Sequence, residues 1–92
     1  MGRFTAREIA EQIARLPEWT IESGELVRTF IFADFVLSLQ FVDRVGVLAE
    51  QAGHHPDIDI RYNRVRIALT THDAGGLTEK DFALALQVER LI

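Results

Sequence analysis

The sequence predicts an α+β domain in the order α-β-β-α-β-β-α, with a four-stranded antiparallel sheet and three helices on one face of it. Three observations carry that prediction. Three segments repeat apolar residues at helical spacing behind their own capping residues. Between them lie two pairs of strand-like runs, each joined by a turn too short for a parallel crossover. The chain has 92 residues, 48% of them hydrophobic, which suffices for one core and not two, so residues 1–92 are read as a single domain.

The first helix opens at Thr5, which with Glu8 makes a capping box that satisfies orphan backbone amides. Ile9, Ile13 and Leu16 give it one apolar stripe, and Pro17, which has no N–H to donate, is read as its end. Strand-like runs follow at residues 19–22 and 25–32, joined across Ser23-Gly24. Trp19 is read as a packing residue on the first strand. Asp34 caps the next helix, which runs to Ala52 with Gly53 as a left-handed terminator. At 100° per residue its apolar side chains, from Leu37 round to Leu39, fill an arc of roughly 200°, twice what a single-sided surface helix needs. Half of that arc can cover a sheet; the other half is expected to meet another subunit.

The second hairpin alternates cleanly, with Ile58, Ile60 and Tyr62 on one side and Asp57, Asp59 and Arg61 on the other. Taking Asn63-Arg64 as its turn sets Tyr62 opposite Val65, Ile60 opposite Ile67 and Ile58 opposite Leu69, with Tyr62 in the core. It also sets Arg61 opposite Arg66, a like-charge pair within a solvated basic patch that includes Arg64. Thr78 opens the last helix after Gly75-Gly76, and Asp81 occupies the capping-box position, where it is read as a cap.

Composition removes several classes of function. Ten Lys and Arg against fourteen Asp and Glu give a net charge of −4, which argues against a direct nucleic-acid binder. The absence of cysteine excludes disulfides and thiolate metal sites. No apolar run approaches a bilayer span, and the charged start of the chain lacks a signal peptide's apolar stretch, so the expectation is a cytoplasmic protein with no membrane partner.

The residues with chemistry to offer are the three histidines, His54, His55 and His72, within one 19-residue span. Histidine both gives and takes protons near neutral pH. His54 and His55 follow the long helix, Pro56 holds their connector extended, and His72-Asp73 follows the fourth strand. Glu50 stands four residues before His54, on the helix's last turn. A fold that joins the ends of helix 2 and strand 4 would collect these groups in one polar cleft. A metal site is the competing reading, but adjacent side chains of an extended segment point apart, so His54 and His55 do not readily share one ion.

At these residues the sequence resembles the pterin-4a-carbinolamine dehydratase family. The family's signature is an acidic residue, three spaces, His-His-Pro, then an aromatic, a histidine and an aspartate at set distances. Here it reads Glu50, His54-His55-Pro56, Tyr62, His72 and Asp81, and the likeness extends from about Trp19 to the end of the chain. The resemblance implies a hydro-lyase, a 4a-hydroxytetrahydrobiopterin dehydratase, that recycles the pterin cofactor of aromatic amino acid hydroxylases. It needs neither a cofactor of its own nor a metal. By similarity His54, His55 and His72 are catalytic, while Glu50, Gly53, Thr70, Thr71 and Asp73 bind the substrate. A homodimer or homotetramer is expected, with helix 2 (residues 34–52) in an interface. Some members of the family instead stabilise dimers of a transcription factor through the same helix, so a non-catalytic binding or assembly role is the alternative. Many members carry a tryptophan where this chain has Ile58, which offers bulk but no stacking face for a pterin.

Overall fold

The computed structural model describes residues 2–92. Its elements are α1 (Ala6–Ile13), β1 (Thr20–Glu22), β2 (Glu25–Ile31), α2 (Phe35–Ala52), β3 (Asp57–Arg61), β4 (Arg64–Leu69) and α3 (Glu79–Glu89), with one turn of 3-10 helix at His72–Ala74. This is the α+β architecture read from the sequence. The four strands form one antiparallel sheet in the order β1-β2-β4-β3.

All three helices begin where capping chemistry places them. Thr5 and Glu8 close one capping box, Thr78 and Asp81 another, and the Asp34 carboxylate accepts from the Leu37 N–H at 2.9 Å. The first helix stops at Ile13 rather than at Pro17 as expected: the Arg15 and Leu16 N–H groups donate to the Gln12 and Ile13 carbonyls, three residues back, so the ladder tightens into turns before the proline is reached. Leu16 thereby enters the core while Pro17 stays exposed.

The sheet turns Leu26, Phe30, Val65, Ile67 and Leu69 toward the helices, where they pack with Phe41, Val45 and Ala49 of α2 and Phe82, Leu84, Ala85 and Val88 of α3. Trp19 is buried just before β1, and its indole N–H donates to Glu89 Oε1 at 2.5 Å. Arg28 pairs with the same carboxylate and lies over the Phe30 ring, 4.3 Å from its centre. This cluster ties the first hairpin to the end of α3.

The second hairpin departs from the expected register. Its two-residue turn is Tyr62-Asn63, so Ile58 faces Ile67, Ile60 faces Val65, Asp59 faces Arg66 and Arg61 faces Arg64. Asn63 supplies the reason. Its side-chain amide donates to the Phe32 carbonyl at 3.0 Å, and its own carbonyl accepts from the Phe32 N–H at 2.9 Å, which pins the turn to the end of β2. Tyr62 takes the left-handed conformation (φ 52°) and is 65% exposed rather than in the core. The slip is an even number of residues, so each side chain keeps its face. The like-charge pair is therefore Arg61 with Arg64. Arg61 also bonds Asp59 at 3.2 Å, and Arg66 reaches Glu22 at 3.3 Å.

Candidate active site

The site is assembled where α2 ends and α3 begins. Gly53 takes the left-handed conformation (φ 61°) and closes α2: its N–H donates to the Glu50 carbonyl, and the His54 N–H returns to Ala49 at 3.1 Å. These paired bonds fold the chain back over the helix end. They place the His54 side chain against α3, and Pro56 keeps His55 extended.

Beyond β4, Thr71 and Gly76 form an isolated antiparallel bridge that encloses the turn carrying His72 and Asp73. Gly75 supplies the positive φ (73°) that closes the loop. The start of the chain braces it from outside. Arg3 donates to the Gly75 carbonyl at 3.4 Å, the Phe4 N–H donates to Leu77 at 2.7 Å, and the Phe4 ring stacks on Phe82.

His54 Nε2 lies 2.6 Å from Asp81 Oδ1, and Asp81 is fully buried. The other carboxylate oxygen accepts from the Thr78 N–H at 2.9 Å and the Thr71 hydroxyl at 2.8 Å. A carboxylate so placed accepts from the ring, which assigns the His54 proton to Nε2 and leaves Nδ1 for other work. His55 Nε2 pairs with Glu50 in the same manner, but on the surface, with the two side chains 64% and 77% exposed. His72 is exposed on its turn.

An open cleft of about 280 Å³ unites these groups. Gly53, His54, His55, Thr70, Thr71, His72, Asp73 and Lys80 line it. The structure thus brings all three histidines and four of the five expected substrate-binding residues to one place. Glu50 is the exception, reaching the cleft only through His55. Ile58 lies on β3, 37% exposed and outside the lining. Sequence reasoning did not find Lys80, nor that Asp81 caps α3 with one oxygen and holds His54 with the other. The signal for the second point was there: a capping-box carboxylate has a spare oxygen. Among the described residues no group of three or more His, Asp or Glu side chains is set to hold a metal ion. A second concavity, on the outer sheet face, is lined by Thr29, Asp59, Arg61, Arg64 and Arg66 and contains no histidine.

The chain as a whole is similar to known proteins. Residues 2–91 match the family described as pterin 4 alpha carbinolamine dehydratase. A Chloroflexus aurantiacus protein named "Putative pterin-4-alpha-carbinolamine dehydratase" is 62% identical over 92 residues, covering 100% of this chain and 99% of that one. Among solved structures, a transcriptional coactivator/pterin dehydratase from Brucella melitensis superposes with a TM-score of 0.94 at 32% identity, covering 98% of both chains. A pterin dehydratase-like protein identified as a RuBisCO assembly factor in the alpha-carboxysome superposes with a TM-score of 0.65 at 27% identity, over 79% of this chain and 84% of that one.

Proposed function

The chain belongs to the pterin 4 alpha carbinolamine dehydratase family, and from that membership we propose that it dehydrates a 4a-hydroxytetrahydropterin to the quinonoid dihydropterin by histidine acid–base catalysis. The observation that supports this most directly is the meeting of His54, His55 and His72 at one cleft, with His54 anchored on buried Asp81. The reaction moves two protons. The C4a–O bond breaks with its electron pair on oxygen, which takes a proton and leaves as water. The N5–H pair becomes the second bond between C4a and N5, and that proton passes to a base.

One protonated and one neutral imidazole meet this count, and each well-placed group is worth about 10²–10⁴-fold in rate. One histidine of the His54/His72 pair is the acid toward the 4a-hydroxyl. His55, steadied by Glu50, takes the N5 proton or orients the ring. Gly53, Thr70 and Asp73 bind the ring along the cleft walls. The test is turnover of 4a-hydroxytetrahydrobiopterin by wild type and by His54→Ala, His55→Ala and His72→Ala. Falls of about 10²-fold or more in at least two variants are expected; wild-type turnover in all three refutes the assignment.

Self-association through α2 is part of the same reading. Phe35, Leu37, Leu39 and Val47 on this helix are 42–57% exposed, and Val36 is 59% exposed. Phe35, Leu39, Val42 and Gly46 recur at helical spacing as one stripe beside the buried face. Such a contiguous apolar surface suits a second copy of the chain in a dimer or tetramer. A non-catalytic binding or assembly role gives no reason for three histidines to share a cleft with a buried carboxylate.

A further inference from the structure

We propose that the buried hydroxyls of Thr71 and Thr78 position His54, acting through Asp81, and that Thr71 is a positioning residue rather than a substrate contact. This rests on the dehydratase reading for its kinetic consequence but not for its geometry.

Proton accounting carries the argument. A threonine hydroxyl has one proton to give. That of Thr71 goes to Asp81 Oδ2 at 2.8 Å, so in the 2.9 Å contact between the two hydroxyls Thr78 must be the donor. The Thr78 oxygen in turn accepts from the Lys80 N–H at 3.2 Å. The order of donation is therefore Lys80 N–H to Thr78, Thr78 to Thr71, and Thr71 to Asp81, whose other oxygen holds His54. Two donors on Oδ2 fix the plane of the carboxylate and so the direction in which Oδ1 meets the ring.

A helix cap does not require this. The capping box needs the Thr78 oxygen as acceptor and the Asp81 carboxylate on the Thr78 N–H, and both are present without Thr71. Thr71 lies just beyond β4, so its hydroxyl ties the segment after that strand to the start of α3 and, through Asp81, to the imidazole. Thr78 and Asp81 are fully buried and Thr71 is 9% exposed. Among the described residues no buried side-chain polar atom lacks a partner. In so dry a network each lost donor shifts the groups that remain.

Thr71→Val removes the hydroxyl at nearly constant shape and leaves the cap of α3 in place. Two readouts decide. In ¹⁵N NMR of the protein alone, His54 should pass from a single Nε2–H tautomer in wild type to a mixture in Thr71→Val, and Thr71→Ser should restore it. In turnover of 4a-hydroxytetrahydrobiopterin, kcat should fall about 10-fold with KM unchanged, as expected for a misaimed group, and Thr71→Ser should recover it. A raised KM with kcat retained would make Thr71 a substrate contact and overturn the proposal, as would an unchanged His54 tautomer. Should Thr71→Val not fold, Thr71→Ala carries the same readings. Absence of turnover in wild type would refute the dehydratase reading, while the NMR comparison would still decide the positioning role.

Discussion

His54 and His55 are neighbours in sequence, yet each has a carboxylate partner in an opposite environment. The His54 side chain is 11% exposed against a fully buried Asp81, whereas His55 and Glu50 are both open to solvent. The consequences of breaking the two pairs differ accordingly. Asp81→Asn leaves one acceptor oxygen where the carboxylate had two and removes its charge from beside His54, a change at a fully buried site that costs about 1–3 kcal/mol. Chemical denaturation should show that loss, and turnover should drop about 10²-fold as the ring loses its aim. Glu50→Gln should leave stability within about 0.5 kcal/mol of wild type in the same experiment, because water screens the exposed pair. The residue types and their spacing were legible in the sequence. The pairing of His54 with Asp81 was not, because it depends on how α2 and α3 pack, which no local pattern records.

Helix starts that rest on local capping chemistry were read correctly, whereas the end of α1, expected at Pro17 and found at Ile13, and the turn of the second hairpin were not. Thr5, Asp34 and Thr78 each bond amides within their own helix, so their capping is written in neighbouring residues. The turn of the second hairpin was misplaced because Asn63 answers to Phe32, far away in sequence. Period-two alternation fixes which face a residue takes but is blind to an even slip. The end of α2 depends on one backbone conformation. No atom lies near the Cβ that Gly53→Ala would introduce, so its cost is that of the left-handed backbone alone, about 1 kcal/mol. Urea denaturation should show that loss, and because Gly53 immediately precedes His54, turnover should fall as well.

For the molecule as a whole, the apolar excess anticipated on helix 2 is exposed. The expectation is therefore that static light scattering at micromolar concentration gives a dimer or tetramer. Leu39→Glu, in the middle of the exposed stripe, should shift it toward monomer without loss of helix content by circular dichroism; a wild-type monomer would remove α2 from any interface. Among the described residues no helix is long and apolar enough to cross a membrane.

The strand order β1-β2-β4-β3 also has a kinetic meaning. Each hairpin closes within a few residues, but the central pairing of β2 with β4 must wait for α2 and β3 to be threaded between them, from Ile31 to its partner Arg64. Such long-range closure is the slow step of a fold of this kind. The amides of β2 and β4 should then be the last to exchange with deuterium, at the rate of global unfolding, while those of β1 exchange earlier. The histidine cleft joins a segment inside the loop so closed, at Gly53, His54 and His55, to segments that follow β4. A partly made chain can hold either hairpin, but it cannot hold the cleft.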